Sequence, residues 1–436
     1  MNVYNLVSLL GVVALPAFAW LCSSRRRAVS FRVVGWGIGL QLLFGFFVFV
    51  VPWGGRVFLF LNRVVVRLLD SATAGTRFLF GRLALPPGAV GEAGETSLGS
   101  ILITQALPTI VFFAALISVL YYLRIMPVLI RLFARLFSGT MHLSGAESLC
   151  ASSNIFVGVE SALVVRPYLR DMTVSELTTI LTAGMATIAS TVLALYVTLL
   201  RDVLPTIAGH LISASVLSAP AAVVMSKLLV PETGKPKTLG RDVKPAYERE
   251  ENIIMAVING AHGGLKLLGG IVALLLAFLG LLALVDLFLG WMGGNVNQWF
   301  GWNAQWSLSS LLGLIFYPFT LLLGVPPQDA TTVARLIGER TVATEVVSYQ
   351  HLAGLIKTGA LVHPRSAVIA SYALCGFAHV ASLAIFVGGA GALVPERLRD
   401  LSRTSLRALL AATLASLQTA AVAGAFVTGG SILLGR

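Results

Sequence analysis

Long apolar runs alternate with short polar segments along this chain. Residues 5–22, 33–52, 101–123, 206–226, 263–290 and 405–430 approach or exceed the roughly 20 residues with which a helix crosses a bilayer. Residues 306–324 read as another apolar helix. Residues 175–200 and 364–394 are also long enough, but each is interrupted. The middle of the first, 182–190, is rich in small and hydroxylated residues, and the second contains Cys-Gly-Phe-Ala-His at 375–379. Small residues permit close helix packing, and such a stretch can equally unwind and offer carbonyls to an ion. Residues 56–82 space five arginines among aromatic and aliphatic side chains, the pattern of a helix lying in the interface.

Two segments fit neither kind. Residues 144–172 hold two short apolar arms that meet at Gly158-Val159-Glu160, and residues 326–355 hold two arms flanking 338–345, which ends in Glu345. Neither arm of the first spans a bilayer, and the second segment is too short to cross twice. Each therefore predicts a hairpin that enters the membrane and leaves on the same side. Glu160 and Glu345 then lie at membrane depth, where an ionisable group is costly and marks a functional site.

Each half of the chain thus carries a hairpin, an interrupted helix and a regular helix. Counting spans sends the two hairpins in from opposite faces. That is the pattern of an inverted repeat with discontinuous helices, which places its binding sites near the midplane. The expected fold is an all-α polytopic membrane protein of about eight transmembrane helices plus two re-entrant hairpins, with interfacial helices. The expected segments are scaffold helices (1–143), a first transport repeat (144–226), a polar loop (227–262), further scaffold helices (263–325) and a second transport repeat (326–436).

Composition agrees with a membrane setting. Of 436 residues, 57% are hydrophobic and only 11% charged, against about a quarter charged in soluble domains, and mean hydropathy is +0.87. The net charge of +12 sits in short loops between apolar runs, as the positive-inside rule requires, so it does not mark a nucleic-acid surface. Segments 24–32, 227–251 and 395–404 are the basic ones and are expected in the cytoplasm, with the N- and C-termini outside a multi-pass inner (plasma) membrane. Residues 5–21 precede Ser-Ser-Arg-Arg-Arg rather than a small-residue cleavage site, so the first run reads as a retained helix. Cys22, Cys150 and Cys375 are isolated and form no metal-ligand spacing. No catalytic constellation is visible, and no enzymatic cofactor is expected.

Specific stretches carry a resemblance. LPTIVFFAALISVLYYL (107–123), SGAESL (144–149), NIFVG (154–158), RPYL (166–169), ISASVLSAPAAVVMSKLLVPET (212–233), YALCGFA (372–378) and GGAGALVPERLRDLSR (388–403), in this order, closely resemble the concentrative nucleoside transporter family over nearly the whole chain. The resemblance implies cation-driven nucleoside uptake by an elevator-like movement, usually in a homotrimer. It implies a substrate site at Gly158, Val159, Glu160, Thr344, Glu345, Phe377, His379 and Ser382. It implies a sodium site at Asn154, Val157, Thr187 and Ile188. Glu160, Glu345, Phe377 and Ser382 match the family pattern. Val159, Thr344 and His379 depart from it, because the family usually has a Gln-Thr pair before the glutamate of the first tip and Asn at the other two positions. One hydroxyl is also missing, at Ala186. Two readings follow: a nucleoside symporter driven by Na+ or H+, or a transporter of the same fold for a modified nucleoside or another small polar solute.

Overall fold

The computed structural model describes residues 2–91, 94–158, 160–246, 250–301 and 303–428. These are helical throughout apart from loops and two isolated bridges. The elements in order are α1 (Val3–Leu21), α2 (Phe31–Phe49), α3 (Pro52–Phe80), α4 (Leu102–Gln105), α5 (Thr109–Tyr122), α6 (Ile125–Met141), α7 (Gly145–Ser153), α8 (Ser161–Val164), α9 (Val174–Ala186), α10 (Ser190–Leu200), α11 (Ile207–Leu229), α12 (Ile253–Phe300), α13 (Leu308–Leu322), α14 (Pro327–Val342), α15 (Glu345–Lys357), α16 (Pro364–Ala373), α17 (Val380–Leu393) and α18 (Leu398–Phe426). Seven helical stretches among the described residues are long and apolar enough to cross a membrane. The two hairpins are α7–α8 and α14–α15. The two interrupted helices are α9–α10 and α16–α17, and each is followed by a long regular helix.

Local chemistry sets the element ends. Ser144 caps α7, accepting from the Glu147 amide, and Thr173 opens α9 with a reciprocal capping box to Glu176. Pro327 and Pro364 occupy first-turn positions of α14 and α16, where the missing N–H costs nothing. Asn252 caps α12 by accepting from the Met255 amide at 2.9 Å.

Packing separates a core from an outer pair. The α9–α10 and α11 membrane windows are each 89% buried, whereas that of α12 is 6% buried. The long α12 leans on α5 through Gly260 and Gly264, one turn apart. A Cβ at either would come within 2.8 Å of α5 atoms, so these glycines permit backbone approach as small-xxx-small pairs do in membranes. Elsewhere polar side chains fasten the core. Arg365 donates to the carbonyls of Tyr4, Gly324, Gly424 and Val427, joining α16 to the ends of α1, α13 and α18.

Several expected boundaries move. The span expected at 263–290 is part of the 48-residue α12, which runs from Ile253 to Phe300. Gly293, Gly294, Asn295 and Asn297 do not end it, because local propensity is a weak term within so long an apolar helix. The last helix begins at Leu398, so basic residues expected in a loop form its first turns. The run at 101–123 breaks between α4 and α5 at Ala106–Pro108. The second hairpin turns at Ala343–Thr344, inside the expected 338–345, because α14 continues to Val342. Residues 182–190 do both things expected of them. Gly184 packs against Phe386, and the chain unwinds at Thr187–Ala189.

Candidate functional site

The second hairpin and the α16–α17 break build one buried polar cluster. Glu345 opens α15, where the helix N-terminus favours its negative charge. Its Oε1 accepts from the Tyr196 hydroxyl of α10 at 2.6 Å, and its Oε2 lies 3.0 Å from Nε2 of His379. His379 is the N-cap of α17, and its Nδ1 accepts the Ser382 amide at 3.3 Å. That bond assigns the tautomer: Nδ1 is bare, so the proton sits on Nε2, the nitrogen beside Glu345. Ser382 spends its hydroxyl locally, against the carbonyls of Phe377 and His379. Phe377 is half-buried, with its ring centre 6.5 Å from that of His379. Thr344 places a buried Oγ1 with no hydrogen-bond partner beside Glu345 in the chain. Of the expected substrate contacts, Glu345 and His379 are in direct contact and Ser382 supports them.

The first hairpin meets the other break. The Ser190 amide donates to the Phe156 carbonyl at 2.9 Å, and Gly158 packs on Ala189. This brings the expected ion ligands to one region. Asn154 is fully buried. Its Nδ2 donates to the Cys150 carbonyl at 3.0 Å, while its Oδ1 has no partner. Thr187 turns its hydroxyl back to the Ala183 carbonyl at 2.8 Å, a side-chain bond that competes with continued helix. No hydrogen bond among the described residues reaches the carbonyls of Val157, Thr187 or Ile188. An orphaned amide oxygen in the hairpin and free carbonyls at its tip and in the break that it touches are the kind of ligands a hard monovalent cation takes in unwound transporter helices. No cluster of three or more His, Cys, Asp or Glu suited to a metal ion occurs among the described residues.

Glu160 stands apart from Glu345. It is exposed at the first tip and lines a cavity of about 750 Å³ together with Phe156, Thr191, Ser118, Asn259 and Gly264. No hydrogen bond or ion pair among the described residues joins it to the Glu345 cluster. Val159 lies outside the described residues. The two helix breaks nevertheless touch. Gly376 adopts φ 107°, and a Cβ there would lie 2.7 Å from the Ala186 carbonyl oxygen.

Comparison with known proteins decides the family. A family model described as "Na+ dependent nucleoside transporter C-terminus" matches residues 210–424, its N-terminal counterpart matches 10–83, and a "Nucleoside recognition" gate model matches 103–203. The chain belongs to the Na+-dependent nucleoside transporter family. It is 39% identical to the uncharacterized transporter YutK of Bacillus subtilis, covering 98% of this chain and all of that one. It is 39% identical to solute carrier family 28 member 3 of Mus musculus over 96% of its length, but spans only 58% of that protein. The solved structure of CNTnw in an inward-facing substrate-bound state superposes with a TM-score of 0.85 at 35% identity, covering 97% of this chain and 98% of CNTnw. The likeness is to transporters rather than enzymes, and the fold expectation of a helical membrane protein stands.

In this family member, three contributors to the site escape sequence reading. Tyr196 is one tyrosine within an apolar run, and only the fold brings it to Glu345. Arg340, fully buried in α14, donates to the Ala373 carbonyl at 2.6 Å where α16 ends, while its Nε and Nη2 have no partner. Lys227 of α11 is buried against Glu147 of the first hairpin at 2.7 Å. A lone arginine or lysine inside an apolar segment is the signal that could have marked the last two.

Proposed function

We propose that this chain is a cation-coupled symporter that imports nucleosides by an elevator-type alternating-access movement, with Na+ as the coupling ion. The reading rests on a buried, unpartnered Asn154 Oδ1 in the first hairpin, on carbonyls of Val157, Thr187 and Ile188 that accept no hydrogen bond among the described residues, and on the Ser190 amide to Phe156 carbonyl bond that joins the two segments. The substrate would lie between the hairpin tips and the α16–α17 break. There it would meet Gly158, Val159 and Glu160 on one side and Thr344, Glu345, Phe377, His379 and Ser382 on the other. The segments 144–226 and 326–436 would move together past scaffold helices from 1–143 and 263–325, with 227–262 as the connecting loop. A homotrimer in the inner (plasma) membrane, with both termini outside, accords with the family resemblance and the charge pattern.

A second reading rests on His379. An imidazole fixed on Glu345 occupies an acceptor position that a ribose hydroxyl would otherwise use, which favours a modified nucleoside or another small polar solute. A site built for one hydrogen-bonding partner rejects ligands that lack it. Uptake of labelled uridine and adenosine into proteoliposomes, under an inward Na+ gradient or an inward proton gradient, tests both. Accumulation driven by Na+ alone supports the first reading. Accumulation driven by protons alone overturns the choice of ion. No accumulation of either nucleoside, with uptake of another solute, replaces the first reading by the second.

A further inference from the structure

A cavity of about 530 Å³ opens between the α1–α2 loop, the start of α9 and the first turns of α18. Its position falls among the segments whose charge assigns them to the cytoplasmic surface, and no residue of either hairpin tip lines it. Four arginines line it: Arg25, Arg397, Arg403 and Arg407. Two carboxylates also line it, and both are already engaged. Asp400 pairs with Arg397 at 2.8 Å. Glu232 accepts from the Thr173 hydroxyl at 2.7 Å and the Gly234 amide at 2.8 Å, with Lys227 at 3.6 Å. The guanidinium groups of Arg25, Arg403 and Arg407 have no hydrogen bond or ion pair among the described residues.

Arg403 and Arg407 stand four residues apart on one face of α18, with Thr404 between them. Like charges at that spacing repel, and an anion held between them would relieve the repulsion. The loop bearing Arg25 is tied in place by the Ser24 amide, which donates to the Leu229 carbonyl at 3.0 Å. Apolar side chains continue from the rim. Leu398, Leu406 and Leu410 on α18 are exposed, and Val174 both lines the cavity and is exposed. An anionic head group and an acyl chain would each find a matching surface.

We propose that this pocket binds a phosphate group through Arg25, Arg403 and Arg407. The adjoining apolar rim makes the head group of an anionic membrane lipid its natural source. Basic pockets between membrane helices on the cytoplasmic side recognise such head groups.

The test uses the full-length protein in a neutral detergent. Its melting temperature is titrated with phosphatidylglycerol, with phosphatidylcholine and with inorganic phosphate, and the same titrations are run on Arg403→Ala/Arg407→Ala and on Arg25→Gln. A ligand of the folded state raises the melting temperature as its concentration rises. The expected result is a rise with phosphatidylglycerol, absent with phosphatidylcholine and at least halved in each variant. An equal rise with inorganic phosphate at matched concentration would make free phosphate the ligand. Native mass spectrometry adds a readout independent of variant stability: the wild-type protein should retain bound phosphatidylglycerol in preference to phosphatidylcholine. No rise with any phosphate compound, or equal rises in wild type and both variants, overturns the proposal.

Discussion

Nε2 of His379 lies 3.0 Å from Oε2 of Glu345, across the gap between the α16–α17 break and the second hairpin. Because Nδ1 of the same ring caps α17 by accepting from the Ser382 amide, one side chain both starts a helix and holds the carboxylate.

Removing that ring should therefore cost both structure and binding. His379→Ala leaves a buried carboxylate with Tyr196 alone and strips α17 of its cap. Stripping a buried carboxylate of a polar neighbour costs about 1–3 kcal/mol, and losing a cap adds roughly 1 kcal/mol. His379→Asn keeps a good cap and an amide donor, so it should recover most of the stability. Thermal denaturation in detergent and uptake assays distinguish the two. Equal behaviour of the Ala and Asn variants would contradict the dual role.

Asn154→Ala deletes an orphaned amide oxygen at the hairpin 1 junction. Losing a buried polar partner costs about 1–3 kcal/mol, so half-maximal uptake should need on the order of tenfold more sodium or above. The bonds from Nδ2 stay within the hairpin, so folding should suffer less than ion binding. Sodium titrations of uptake at fixed substrate check this. An unchanged sodium dependence would remove Asn154 from the ion site.

Much of this arrangement was legible in the sequence, and the physical reasons differ by element. The hairpins announced themselves because their arms are too short to cross. The breaks did so because glycine, hydroxyls and histidine interrupt apolar runs. The Glu345–His379 contact was not legible, although both residues were candidates, because spacing along a chain says nothing of distance between two hairpin-bearing halves. Tyr196 was invisible for the same reason: its partner lies 149 residues away. The extent of α12 was not legible because the apolar run weakens after 290, whereas the helix simply continues until Gly301, whose φ of 65° ends it.

Gly376 is where the two broken helices meet. A side chain there would need a left-handed φ of 107° and would collide with the Met185 and Ala186 carbonyls. Backbone strain of that kind costs about 1–3 kcal/mol before any clash is counted. Gly376→Ala should lower the melting temperature and abolish uptake, while Gly388→Ala, in open space on α17, should leave both nearly unchanged. Comparable effects of the two substitutions would mean that the contact between the breaks does not matter.

Orientation follows from the distribution of arginine and lysine. Single cysteines placed at exposed positions within 24–32, 227–251 and 395–404 of a Cys22→Ser background should react with an impermeant thiol reagent only from the cytoplasmic side, since these segments carry the positive charge that stays inside. Labelling of 395–404 from outside would break the opposed entry of the two hairpins and with it the inverted repeat.

Lys227 and Glu147 provide the last test, of what holds the first hairpin against the core. Lys227 lies in the last turn of α11 and Glu147 in the first turn of α7, so each charge also complements the helix end that bears it. The ammonium, 2.7 Å from the carboxylate, further donates to the Ser175 hydroxyl of α9 at 3.0 Å. Hairpin, broken helix and regular helix are thus joined at one buried nitrogen. Lys227→Met strands a carboxylate in the interior and should cost about 3–5 kcal/mol. The double variant Lys227→Met/Glu147→Leu removes both charges, and apolar replacement of a buried pair is often near neutral. It should therefore melt well above the single variant. If the double variant is no more stable than Lys227→Met alone, the loss lies in packing around the lysine stem rather than in the unpaired charge, and the pair is not the fastening.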